Sequence, residues 1–488
     1  MPHATPAQIE SLLARMQGTE VLVVGDLMLD EYLWGAVDRV SPEAPVQVVD
    51  ITATTHALGG AANVARNVAA LGGRPLLAGV IGKDDAGDTL CDLLTTAGID
   101  QTGVIRADSR PTTRKTRVMA QRQQVMRYDR EVREPVGADA ARELIQVAES
   151  ALAGCAALLI SDYAKGGVTE DLCSRLIAAA KKRGVPVCVD PKGTNAAKYT
   201  GATLVTPNLK EAAQLTGGSL SDDDAVERAG SDIRKAGKFD YVLMTRSERG
   251  MSLFGENTTH HIPTRAREVY DVTGAGDTVL AAVGLALASG CAPEEAASLA
   301  NDAAGVVVGK VGAAVATPLE VIQHVRALGG ATEDKLLSRE ALFETATRLK
   351  REGRRIVFTN GCFDLLHVGH VRYLQKAREL GDVLVLAINT DASVQKLKGP
   401  GRPVVPETER AYVLSALSCV DYVTLFDEDT PQVLIEGVRP DVLVKGGDYT
   451  PEQVVGRETV EADGGEVVIV PYLLGKSTTE MIQRINEA

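Results

Sequence analysis

The string Asp271-Val-Thr-Gly-Ala-Gly-Asp277 constrains the fold of this chain more than any other feature. Its glycines form a cradle at the predicted start of a helix, and a carboxylate follows at once. Backbone N–H groups at a helix N-terminus favour negative charge and can hold a transferring phosphoryl group. Asp277 is then placed to take the proton of an attacking hydroxyl. A second, unrelated phosphate motif follows in the same polypeptide: His367-Val-Gly-His370, preceded by Thr359-Asn-Gly-Cys-Phe-Asp364. Two phosphate chemistries in one polypeptide narrow both fold and function sharply.

Composition agrees. A length of 488 residues exceeds one typical core and predicts two or three domains. A net charge of −13 argues against nonspecific binding to nucleic acid or an anionic membrane. Aromatic residues make up only 4%, too few to suggest a stacking surface for single strands. The 7 Cys, at 91, 155, 173, 188, 291, 362 and 419, form no C-x-x-C pair and read as reduced thiols of a cytoplasmic protein. The N-terminus lacks the apolar core of a signal peptide, and Val279–Leu287 is too short to span a membrane.

Short apolar runs at Val21–Val24, Leu158–Ile160, Val185–Val189, Leu204–Val205 and Tyr241–Met244 alternate with helical stretches such as Glu170–Arg183. That rhythm predicts a largely parallel sheet covered on both faces. Val37–Thr52 and Val104–Tyr128 are more polar and alternating, and are expected to pair as a small β lid. The pattern fades after Pro318. Gly329–Asp334 reads as a linker, and Ser338 as the cap of a connecting helix that Gly353 ends. A new alternation starts at Ile356, with strands at Val383–Ile388, Tyr422–Phe426, Val442–Lys445 and Val467–Pro471. The expected division is residues 1–328, a connector at 329–350, and a second domain at 351–488.

In the first part, Gly274, Ala275 and Gly276 let the backbone approach a phosphate. Gly59-Gly60 reads as a tight turn, and Asn63 beyond it can bond sugar hydroxyls. Asn208-Leu209-Lys210-Glu211 and Asp30 follow predicted strands, at the sheet edge where open α/β folds bind ligands. Taken singly, Asn208 and Glu211 also read as helix caps, and Lys115, Arg117 and Arg127 as a solvated basic face. Together these strings resemble the ribokinase and phosphofructokinase-B family over about residues 11–325. The resemblance implies a three-layer ribokinase-like sandwich, with Asp277 as catalytic base and Gly274–Gly276 as anion hole. It implies Asn208–Glu211 near ATP and Mg2+, with Glu211 in the metal's neighbourhood. Asp30, Gly60 and Asn63 fall in the sugar site, and the lid's Lys115, Arg117 and Arg127 are candidates to receive a substrate phosphate.

In the second part, His367 and His370 share one face of a helical turn, and Gly369 leaves room for phosphate. Two imidazoles can donate to an α-phosphate as charge builds during in-line attack. No third His or paired Cys stands nearby, which argues against zinc. Gly475-Lys476-Ser477-Thr478-Thr479 and Arg484 can hold the outer phosphates, and Lys396 and Lys398 are further candidates. Gly475-Lys476-Ser477 is not a P-loop, because Val470 stands where that loop needs Gly. This part is similar to the cytidylyltransferase-like family over about residues 350–488, a smaller Rossmann-like α/β domain. The similarity adds Asn360, Gly361, Phe363, Gly369 and Lys398 to the nucleotide site.

The order of the two parts, with Arg39–Pro45 and Lys445–Thr450, resembles the bifunctional bacterial family of ADP-heptose synthesis. That resemblance implies phosphorylation of heptose 7-phosphate at O1 by ATP, then AMP transfer from ATP to heptose 1-phosphate. A cytoplasmic homodimer formed through the kinase part is expected from it, with no nucleic-acid or membrane partner. A kinase for another phosphosugar joined to a cytidylyltransferase is the competing reading.

Overall fold

The computed structural model describes residues 6–471, apart from 121–122, 265–268, 311, 329–334 and 448–449. The expected linker at Gly329–Asp334 therefore lies outside the described residues. So do Gly475, Lys476, Ser477, Thr478, Thr479 and Arg484. The chain forms two compact units, residues 1–325 and 326–488.

Among the described residues the first unit contains thirteen strands in chain order: β1 (Glu20–Gly25), β2 (Leu27–Val40), β3 (Gln47–Gly60), β4 (Arg74–Gly82), β5 (Asp100–Ala107), β6 (Thr113–Ala120), β7 (Gln123–Arg130), β8 (Ala157–Ser161), β9 (Val187–Asp190), β10 (Leu204–Val205), β11 (Tyr241–Thr245), β12 (Met251–Phe254) and β13 (Thr259–Ile262). Nine of them make one sheet, ordered β13-β12-β11-β10-β9-β8-β1-β4-β5. From β11 to β5 every pairing is parallel, and β12 and β13 add an antiparallel edge. The β1 residues Val21–Val24 are fully buried, because alternate side chains feed two cores on opposite faces. The helix Ala275–Ala288 is apolar all round and buried from Asp277 to Ala286.

The β lid is a separate four-stranded sheet, ordered β3-β2-β6-β7. It differs from the expected one. Its strands β2 and β3 are longer than the polar stretch suggested, and β5 belongs to the edge of the main sheet. The reason is packing: Ile105 and Ala107 of β5 are buried in the core, in parallel register with β4. Asp30 accordingly stands within lid strand β2, not at the main sheet's edge. Gly59-Gly60 ends β3 and runs straight into the helix Ala61–Ala70, with Gly60 at φ 57°.

The second unit adds β14 (Ile356–Gly361), β15 (Val383–Asn389), β16 (Tyr422–Phe426), β17 (Val442–Gly446) and β18 (Glu466–Val470). They form one parallel sheet, ordered β16-β15-β14-β17-β18. The helix Arg339–Arg351, read from sequence as a connector, packs Leu342, Ala346 and Leu349 into this unit's core. Ser338 caps it, accepting from the Ala341 N–H.

In each sheet the strand order reverses once, beside β1 in the first and at β14 in the second. Open α/β sheets bind ligands at that switch, beyond the carboxyl ends of the strands. Gly25 closes β1 at this place. A Cβ there would lie 2.2 Å from the Ser161 carbonyl oxygen and 2.8 Å from the Ala61 Cβ. Gly25→Ala is therefore expected to lower stability by about 1–3 kcal/mol. Urea unfolding checks this, and an unchanged midpoint would contradict the packing described.

Candidate active sites

Asp277 sits in the first turn of the helix Ala275–Ala288 and is 4% exposed. Gly274 precedes that helix at φ 80°, a left-handed conformation suited to glycine. A Cβ on it would meet Asn63 Nδ2 at 2.9 Å, so glycine is also needed for space. Asn63 Nδ2 donates to Asp277 Oδ2 at 2.7 Å, and the Tyr163 hydroxyl donates to Oδ1 at 2.8 Å. Burial raises the Asp277 carboxyl to about 6, against the pull of those two donors. The Ala275 N–H closes a turn on the Val272 carbonyl at 3.2 Å, so the amides that follow it are the ones the helix start offers an anion. Asp271 anchors the loop: its Oδ1 accepts from the Thr273 N–H and its Oδ2 from the Gly312 N–H.

The other predicted residues separate into two groups. Asn63 meets Asp277 directly, and its buried Oδ1 has no hydrogen-bond partner. Asp30 faces the same space and pairs with Arg117 at 2.8 Å, both nearly buried. Arg117 is thus committed to a carboxylate, and Arg127 to Asp129 on the exposed lid surface. Lys115 lies 4.8 Å over the Tyr163 ring, and burial lowers its basicity. Gly60 supports this site through its backbone alone: a Cβ there would strike the Asp26 carbonyl oxygen at 2.4 Å.

Asn208 and Glu211 form a reciprocal capping box at the helix Leu209–Thr216, which carries Leu209 and Lys210 in its first turn. Glu211 also pairs with Lys192, so the cap's carboxylate lies in a charged cluster. Asp190 belongs to that cluster. Burial, then Glu211 and Asp277, raise its carboxyl well above the usual range.

Tyr163, Asp190 and Lys192 escaped the sequence reading. Their only signal is position, just at or beyond the carboxyl ends of β8 and β9. Among the described residues, no group of three or more His, Cys, Asp or Glu is placed to hold a metal ion.

In the second unit, Asn360 and Gly361 end β14, and Phe363 follows at φ 44°. His367 caps the helix Val368–Arg378, its Nδ1 accepting from the Gly369 N–H at 3.1 Å. The His367 and His370 rings stack with centroids 3.9 Å apart, and Phe363 lies 5.0 Å from His370. Burial, with His367 and Lys398 nearby, pushes His370 down to about 4, so it is neutral near pH 7. A cavity of about 390 Å3 opens here, lined among others by Asn360, Phe363, His370, Lys398 and Lys445. Lys445 Nζ donates to Asn360 Oδ1 at 2.5 Å, and burial lowers it to about 8. Asp364 is withdrawn from chemistry: Arg402 pairs with it, and the Val404 and Val405 amides donate to it. Lys396 is on the same short helix as Lys398, Asp391–Lys398, but only Lys398 lines the cavity.

Residues 18–320 match the family model described as pfkB family carbohydrate kinase, and residues 358–469 the one described as cytidylyltransferase-like. The bifunctional protein HldE of Geobacter sulfurreducens is 51% identical over 481 residues, 98% of each chain. The chain belongs to the HldE family of bifunctional proteins. HldE of Helicobacter hepaticus is 46% identical, across 96% of this chain and 97% of its own. Two solved structures share the fold of the first unit. Escherichia coli phosphofructokinase-2 in complex with substrates and products has a TM-score of 0.53 at 23% identity. Arabidopsis thaliana ribokinase complexed with ribose and ATP has a TM-score of 0.52 at 20% identity. Each match covers 64% of this chain and 99% of the other.

A carboxylate accepts a proton only when ionised, and Asp277 is ionised above about 6. In this HldE family member, kinase turnover is expected to fall as pH drops through about 6, with a slope of one proton. A pH–rate profile measures it; an acid limb near the ordinary carboxylate value would show that burial does not set the titration.

Proposed function

We propose that this chain is a bifunctional enzyme of ADP-heptose biosynthesis, a sugar-phosphate kinase followed by an adenylyltransferase. The Geobacter sulfurreducens relative matches 98% of it, and both phosphate motifs are intact. Residues 1–328 are read as the kinase domain, 329–350 as the connector and 351–488 as the adenylyltransferase domain. The observation that carries the reading is the presence, in one chain, of a buried, ionisable Asp277 at a helix start in the first unit and a cavity lined by donors in the second.

In the first reaction the anomeric hydroxyl of heptose 7-phosphate gives its proton to Asp277. Its oxygen attacks the γ-phosphorus of ATP, the bond to the β,γ-bridging oxygen breaks, and ADP leaves with the electron pair. Helix-start amides after Gly274 stabilise the charge on the transferring group. The described acids suit Mg2+ carried in on the nucleotide, because that ion keeps waters and phosphate oxygens and needs only one or two protein carboxylates. Glu211 is in the neighbourhood where one would be supplied. Bound there, the ion would neutralise phosphate charge.

In the second reaction heptose 1-phosphate attacks the α-phosphorus of ATP and pyrophosphate leaves. The attacking oxygen is already anionic, so no base is needed. His367, His370, Lys398 and Lys445 supply hydrogen bonds and charge, with Asn360, Gly361, Phe363 and Gly369 shaping the site. Ser477, Thr478, Thr479 and Arg484 are read as holding the outer phosphates. A separate phosphatase must remove the 7-phosphate between the steps.

No helix among the described residues is long and apolar enough to cross a membrane. All 7 cysteines are free thiols, which supports a reducing, cytoplasmic setting. Val40, Val46, Ile51, Val125, Met126 and Tyr128 expose apolar surface on the lid, which supports a homodimer through that face.

Asp277→Asn is expected to lower bisphosphate formation by about 10²–10⁴ and to leave adenylyl transfer intact. His370→Ala should do the reverse, and equal loss of both activities in either variant would refute the division of labour. Incubation with ATP and heptose 7-phosphate, with and without a phosphatase, should give ADP-heptose only when the phosphatase is present. Turnover of heptose 1-phosphate with CTP alone would reject the adenylyl reading.

A further inference from the structure

The loop leaving β8 carries Tyr163, whose hydroxyl reaches Asp277 Oδ1 at 2.8 Å. With Asn63 on Oδ2, it gives each carboxylate oxygen one donor and so sets the plane of the group. The loop is itself held firmly. The N–H groups of Tyr163, Lys165 and Gly167 donate to the buried carboxylate of Asp26, at 2.9, 3.0 and 2.9 Å. Lys165 pairs with Glu131 at 2.6 Å. Two ammonium groups flank the ring, Lys115 at 4.8 Å and Lys192 at 5.8 Å from its centroid. A surface tyrosine capping a helix would need none of these anchors.

We propose that Tyr163 is a positioning residue of the kinase reaction, aiming Asp277 at the sugar hydroxyl and favouring its ionised form. The proposal rests on the reading of Asp277 as the base. A donor bonded to a carboxylate stabilises the anion relative to the acid. That help is needed here, because burial opposes ionisation and so do neighbouring acids. Asp30 on β2 and Asp190 at the end of β9 disfavour the Asp277 charge; Lys115 on β6 and Arg66 on the helix Ala61–Ala70 favour it. Tyr163 and Asn63 are the two uncharged groups that tip the balance. The Tyr163 phenol keeps its proton throughout, since burial and the Asp277 charge raise it well above its ordinary value. It is therefore a fixed donor and not a second base.

Tyr163→Phe in the full chain keeps the ring and its two cations and removes only the donor. Kinase turnover is expected to fall about tenfold near pH 7, with KM for both substrates changed less than about twofold. The acid limb should move up by roughly one pH unit, and raising the pH should restore part of the loss. Adenylyl transfer in the same preparation reports whether the chain is intact. An unmoved acid limb, or a loss equal at every pH, overturns the proposal. If the variant fails to fold, a fluorotyrosine placed at 163 keeps the shape and strengthens the donor; the limb should then move down, and no movement counts against it. Asp277→Asn, assayed alongside, separates the two readings. Full turnover in that variant refutes the base itself, whereas an inactive Asp277→Asn beside an unchanged Tyr163→Phe refutes the role of Tyr163 alone.

Discussion

The proposed kinase reaction depends on keeping one buried carboxylate charged next to a helix start suited to phosphate. Asp277 sits at the start of a helix buried from that residue to Ala286, with Asp30 and Asp190 close enough to oppose its charge. An isolated carboxylate in such surroundings would take up a proton. Asn63, Tyr163, Lys115 and Arg66 prevent this, and they arrive from three helices, strands or loops outside the motif. The result is a carboxyl at about 6. That is basic enough to accept a proton as a hydroxyl attacks, and still ionised near neutral pH.

The adenylyltransferase unit treats charge the opposite way. Its one buried carboxylate beside the motif, Asp364, is locked to Arg402 and two backbone amides. What faces the cavity is a set of donors held at low basicity: His370 at about 4 and Lys445 at about 8. In the proposed reaction an entering triphosphate would bring negative charge toward both, raising their basicity and strengthening their hydrogen bonds. Interaction therefore grows with the charge on the bound group, as stabilisation of a developing transition-state charge requires.

These differences explain what could be read from the sequence. Asp271–Asp277 and Thr359–His370 were legible because turn, helix start and reactive group are consecutive, so the string carries its own geometry. As a helix cap, Asn208–Glu211 was legible for the same reason. Tyr163 was not, because its partner Asp277 is 114 positions away and Asp26, which holds its loop, is 137 away. Asp30 was misplaced because Leu27–Leu29 looks like the tail of a buried strand. In fact the chain turns at Asp26 and starts the lid there. The helix Arg339–Arg351 looked like a connector because its composition is polar; Leu342, Ala346 and Leu349, with Phe343 packed beside them, anchor it to the second core.

Both sites nevertheless arise from one rule of parallel sheets. Where strand order reverses, the connections diverge and leave a crevice that no side chain of the sheet fills. The first unit puts Asp26 and Tyr163 at that crevice, the second Asn360 and Lys445. In each, a short-range motif carries the proposed reacting group, and a strand end beside it carries further polar groups that face the same crevice. In the first unit the loop after the neighbouring strand, carrying no recognisable signature, bears on the charge of the motif carboxylate through Tyr163, whereas His370 in the second is held neutral by burial, His367 and Lys398.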